Sequence, residues 1–233
     1  MKQTAKISGI AYLMIFISGF YANFYAVEGL IDLNSTNTTI ENLVNNTSQL
    51  GYGLLGFIVM LIFDLLLVWS LHMLLKKVNR NISLTASALR FINVLFFCVA
   101  LLNLFEVYQI MSSQNLNIQA IETQQSIMSL LKNFNQIWII GLMVFGLHLA
   151  FLGYLIFKSN YIPNSLGLLL IIASLGYLID GFANLFMYNY TDYKDIFAII
   201  VIMPAVIGEF SFTVWLLIKG FRKQSSQQIA KIV

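Results

Sequence analysis

Residues Leu50–Lys77, LGYGLLGFIVMLIFDLLLVWSLHMLLKK, run 26 positions with Asp64 as the only formal charge before the lysine pair Lys76–Lys77. A helix rises about 1.5 Å per residue, so roughly 20 apolar residues cross a hydrocarbon core of about 30 Å. This stretch predicts a transmembrane helix. An aspartate in its middle predicts a buried polar contact.

Five more stretches qualify. The six spans are expected at Ile7–Val27, Leu50–Leu75, Ser83–Met111, Gln136–Phe157, Pro163–Met187 and Asp195–Ile218. Their continuous apolar runs indicate helices, because barrel strands alternate over about 10 residues. The expectation is an all-α, polytopic integral membrane bundle forming one domain over residues 1–233, with outer loops at 28–49 and 112–135. Composition agrees: 59% of residues are hydrophobic and 10% charged, against about 25% charged in soluble domains. With Cys98 the single cysteine, an intrachain disulfide framework is excluded.

Basic residues set the expected orientation. Lys2, Lys6, Lys76, Lys77, Arg80, Lys158, Lys219, Arg222, Lys223 and Lys231 fall on one side, and only Lys132 and Lys194 on the other. Both termini are therefore expected in the cytoplasm, with the chain in the cell membrane. The segment before Val27 lacks a small-x-small cleavage site, so span 1 reads as retained. Within the second outer loop, Ile118, Ile121, Met128 and Leu131 recur at helical spacing, which predicts a short helix on the outer leaflet or capping the bundle.

Ionisable groups inside a bilayer cost about 2.5 kcal/mol upward unless partnered or wet. Five lie well inside the spans: Asp64, Arg90, His148, Asp180 and Glu209. Counted from the basic end of each span, Arg90 lies about 10 Å deep, His148 and Glu209 about 13 Å, Asp64 about 16 Å and Asp180 about 25 Å. The first four form a candidate polar layer. Asp64 and Arg90 occupy the two arms of one hairpin, so an ion pair is expected. Such a pair either marks an ion or substrate path or fixes helix packing alone. Asp180 and Asn184 form a secondary candidate on a small-and-polar stripe with Ala173, Gly176 and Tyr177. Pro204 removes the donor to the Ile200 carbonyl, so a bend is expected one turn before Glu209.

No metal site, cofactor or catalytic residue is assigned. Histidine and cysteine are too scarce for a zinc set, and nothing marks Ser87, Ser174 or Ser211 as a nucleophile. The basic tail suits anionic headgroups and not nucleic acid. The expected partners are the lipid bilayer and a small-molecule, ion or lipid ligand; oligomeric state is not legible.

Several stretches carry a resemblance as a set: Gly9-Ile10-Ala11-Tyr12-Leu13; Val78-Asn79-Arg80-Asn81; Phe145-Gly146-Leu147-His148 to Gly153-Tyr154-Leu155; Leu166-Gly167 to Gly176-Tyr177-Leu178-Ile179-Asp180; and Pro204 to Gly208-Glu209, then Trp215 to Gly220. Together they resemble the bacterial multi-pass family known as domain of unknown function 4386. The resemblance implies six membrane helices and brings no activity. Two functional readings follow from the residues. One is a small transporter or channel-like protein using the polar layer. The other is a membrane-embedded enzyme or lipid-binding protein acting on an apolar substrate, with one carboxylate as general acid or base.

Overall fold

A computed structural model describes residues 2–113, 117–118 and 120–222. Lys223 and Lys231 of the basic tail lie outside the described residues. Helix α1 (Lys2–Phe20) continues as a π-helix over Tyr21–Glu28, and α2 (Thr36–Asn45) follows. The remaining helices are α3 (Thr47–Leu75), α4 (Arg80–Ser112), α5 (Ile121–Lys158), α6 (Asn164–Phe186) and α7 (Tyr190–Phe221). All but α2 are long and apolar enough to cross a membrane.

The six long helices form a closed ring. Each packs on its neighbour in the chain, and α7 returns to α1. Gly220 lies against the backbone of Lys6, and Gly9 against Leu217, so both described ends share one end of the bundle. That end also carries the Lys76–Arg80 and Lys158 connections and is called the basic end below. Three lysines there lie over aromatic rings: Lys6 over Phe221, Lys158 over Tyr154 and Lys219 over Trp215. Each ammonium nitrogen lies within 6 Å of its ring centre, at cation–π distance.

Two elements depart from the sequence expectation. The helix foreseen around Ile118–Leu131 is not separate, because α5 runs unbroken from Ile121 for 38 residues, about 57 Å. Hydropathy falls over its first turns, which is why a span was expected to begin at Gln136. The apolar face nonetheless continues in phase, and Ile127, Met128, Leu131 and Phe134 are buried. In the connection between the π-helix and α3, α2 is capped by Ser35, whose Oγ accepts from the Thr38 N–H at 3.4 Å. It buries Thr39, Ile40 and Leu43.

Helices in lipid gain little from hydrophobic burial, so close packing carries much of their association. Gly153 and Gly167 face each other across α5 and α6. A Cβ on Gly167 would lie 2.6 Å from the Gly153 carbonyl oxygen and 2.7 Å from the Phe157 nitrogen. Backbone cannot yield there as a side chain can. We expect Gly167→Leu to lower thermal stability in detergent by about 1–3 kcal/mol through overpacking. Gly19→Ala, which meets only the flexible end of Met60 at 3.1 Å, should melt close to the parent.

Candidate functional site

The ring interior brings four polar side chains from four helices to one level: Tyr12 (α1), Asp64 (α3), Arg90 (α4) and His148 (α5). Each lies about 15 Å from the basic end of its helix. Arg90 is the hub, with 1% of its side chain exposed against 5% for Asp64. One terminal guanidinium nitrogen, Nη2, donates to Asp64 Oδ1. The other, Nη1, donates to the Tyr12 hydroxyl at 3.3 Å and to His148 Nε2 at 3.1 Å. His148 Nδ1 lies 2.7 Å from the Ala86 carbonyl oxygen. A carbonyl only accepts and a guanidinium only donates, so the imidazole must be neutral, with its proton on Nδ1.

Aromatic rings close round the charge. The guanidinium lies 5.1 Å from the Tyr12 ring centre and 5.3 Å from that of Phe145. Phe145 also stacks on His148 and meets Tyr177 edge-on at 5.4 Å.

Glu209 belongs to the expected layer by depth, but it makes no hydrogen bond to the Arg90 cluster. Its Oε1 accepts from the Tyr177 hydroxyl at 3.1 Å, with the Phe145 ring between Tyr177 and Arg90. By hydrogen bonding the layer is therefore two neighbouring groups, with Glu209 still within electrostatic reach of Arg90 and Tyr12. Asp180 sits farther from the basic end and accepts from the Tyr190 hydroxyl at 2.7 Å, with Asn184 beside the same hydroxyl. Pro204 lies within an unbroken α7. The Ile200 carbonyl that it leaves without an in-helix donor packs on Gly176, where a Cβ would come within 2.7 Å of it. Among the described residues no three His, Cys, Asp or Glu side chains gather as a metal set.

Tyr12 and Asn93 join these groups without having been expected from the sequence, and Tyr177, expected only on the stripe with Asp180, is the partner of Glu209. Tyr12 carried a usable signal, since it stands at the depth of Arg90 on span 1. Asn93, fully buried, donates to the Gly141 carbonyl at 3.0 Å. Nothing in the sequence distinguishes it from a lipid-facing asparagine except its place one turn after Arg90.

The side-chain hydrogen bonds that cross between helices divide the ring into two blocks. One set ties α1, α3, α4 and α5 together. Another ties α6 to α7 through Tyr177–Glu209 and Tyr190–Asp180. Among the described residues no side-chain hydrogen bond joins α6 or α7 to the other four helices. The blocks meet through apolar side chains and close glycine contacts. The Arg90 cluster lies at their boundary, behind Phe145 and Phe212. A cleft of about 450 Å³ at the end opposite the basic end is separate from it and lined by Thr36, Gln125, Ser129, Lys132 and Asn133 among others.

The family described as domain of unknown function (DUF4386) matches residues 7–220. The chain belongs to that family. This DUF4386 protein is also similar to an uncharacterized protein of the archaeon Archaeoglobus fulgidus, with 31% identity over 169 residues, 72% of this chain and 84% of the relative. That relative is archaeal, where the sequence resemblance implied a bacterial source. No solved structure matches the chain. Family membership supplies no activity.

Removing one partner of a buried ion pair costs about 3–5 kcal/mol, whereas replacing both with apolar groups is often neutral. We expect Arg90→Met to destabilise the detergent-solubilised protein by about that amount. The double variant Asp64→Leu/Arg90→Met should recover most of the loss in the same melting experiment.

Proposed function

We propose that this protein is a small membrane transporter or channel-like protein, with Arg90, Asp64, His148 and Tyr12 handling a small ion or polar solute. One observation carries the reading. A charged pair, a neutral imidazole and a phenol from four helices meet at mid-depth, on the boundary between two separately tied helix blocks. A pair needed only to hold one hairpin would not require acceptors from α1 and α5 as well. Rocking of one block against another around a mid-membrane site is a common way to alternate access. Moving α6–α7 would break apolar contacts while leaving each block's hydrogen bonds intact. Burial of all four side chains favours this over a laterally open lipid pocket, and so disfavours the embedded-enzyme reading.

The double variant Asp64→Leu/Arg90→Met separates function from packing, because it is expected to fold. In proteoliposomes assayed by solid-supported-membrane currents with a panel of ions and small solutes, the parent should give a current. The double variant should lose at least 10-fold of it. Equal currents in both would assign the pair to packing alone.

The proposed orientation has both ends in the cytoplasm of a cell whose plasma membrane holds the chain. A C-terminal green fluorescent fusion should therefore fluoresce, and a C-terminal alkaline phosphatase fusion should be inactive. The opposite pair of readouts would invert the bundle.

A further inference from the structure

Buried polar positions are distributed unevenly along the bundle. On α4, Ser83, Ser87, Arg90 and Asn93 are all buried, at spacings of four, three and three residues. Every one faces the interior on the same side of that helix. One to two turns nearer the basic end than Tyr12, Asp64 and Arg90, about 5–9 Å, the same three helices place Ser8, Ser70 and Ser87. Ser8 Oγ donates to Ser70 Oγ at 2.9 Å, with both residues fully buried. At the mouth, Ser83 Oγ lies 3.0 Å from His72 Nδ1.

Beyond Asn93 the interior changes character. Among the described residues, α3, α4 and α5 bury no polar side chain from there to the opposite end. About 10–20 Å past the Arg90 level, Phe57, Phe97, Phe134 and Trp138 interlock, with Phe97 stacked on Trp138 at 3.9 Å and Phe57 against it at 4.9 Å. Leucines and isoleucines fill the space behind them.

Two buried atoms at the boundary have no protein partner: Arg90 Nε, a donor, and Asn93 Oδ1, an acceptor. An unmet buried donor or acceptor costs about 1–3 kcal/mol. They stand one turn apart on α4, where one small molecule that both accepts and donates answers both. Water is that molecule, and buried waters commonly occupy such positions. The serines leading up from the basic end are neutral donors and acceptors, which suits water and gives no fixed charge to a bare ion.

We propose that water enters from the basic end along Ser83, Ser87 and the Ser8–Ser70 pair. It ends in a bound molecule between Arg90 Nε and Asn93 Oδ1, beneath the Phe57–Phe97–Trp138 plug. This half-channel deepens the transport reading and rests on it for its use, but the test reads accessibility and not flux, so the two fail separately.

The experiment uses the full chain with Cys98→Ser as background and single cysteines at Asn81, Ser87 and Ala100. A membrane-impermeant methanethiosulfonate reagent is applied to each face of sealed vesicles. Asn81→Cys, in the exposed first turn of α4, defines the basic-end face. Ser87→Cys should react from that face at least 10-fold faster than Ala100→Cys, which lies beyond the plug. Labelling of Ala100→Cys as fast as Ser87→Cys, or of Ser87→Cys from the other face alone, overturns the proposal. Radiolytic hydroxyl labelling of the parent protein, which marks side chains beside bound water, should modify Tyr12 and His148 well above Phe57. Equal protection of all three overturns the proposal without relying on any variant.

Discussion

An arginine that cannot shed its charge, buried in the interior of the ring, imposes the main constraint on this bundle. The guanidinium must find its counter-charge and acceptors within the protein. Asp64 neutralises it, but one carboxylate contact leaves most of its N–H groups over. Tyr12 and His148 take two more, and Ala86 then fixes which imidazole nitrogen is bare. Four helices are thereby held in register by one side chain. A one-turn slip of α1, α3 or α5 would carry its partner group about 5 Å out of reach, so the charge specifies packing as well as chemistry.

Helices α6 and α7 are attached by different means. Their mutual contacts include two side-chain hydrogen bonds, while their contacts with the rest are apolar and glycine-mediated. Gly153–Gly167 brings the backbones of α5 and α6 together, and Gly176 seats the carbonyl that Pro204 releases. The directional polar bonds thus lie within each block, and the boundary between the blocks is packed by apolar side chains and close glycine contacts. Arg90 and its partners sit beside that boundary, screened by Phe145 and Phe212.

Along the bundle axis the same economy of polar groups produces an asymmetry. The half towards the basic end holds the serines and the charge cluster, and the other half is sealed by interlocked aromatic rings. The cleft beside Lys132, at the end opposite the basic end, is separated from the charge cluster by that half. The Tyr161 hydroxyl, in the connection from α5 to α6, donates to the Leu74 carbonyl at 2.7 Å. Burial raises its pKa from the usual 10.0, so it remains a donor at neutral pH.

The sequence by itself determined the number of spans, the grouping of basic residues at one end, and the meeting of Asp64 with Arg90. Lipid makes these legible: apolar length, flanking charge and the penalty for an unpartnered ion are local properties of the chain. Hydropathy misjudged where α5 begins, because it registers lipid contact and not helical continuity. Depth along a span placed Glu209 with Arg90 but carries no information about rotation around the ring, so it could not show that Glu209 takes its hydrogen bond from Tyr177. Only the tertiary structure decided that Tyr12 completes the cluster, that Phe145 stands between it and Tyr177–Glu209, and that the ring divides into two blocks. Those outcomes depend on which helix faces meet, and that is set by packing among all six helices together.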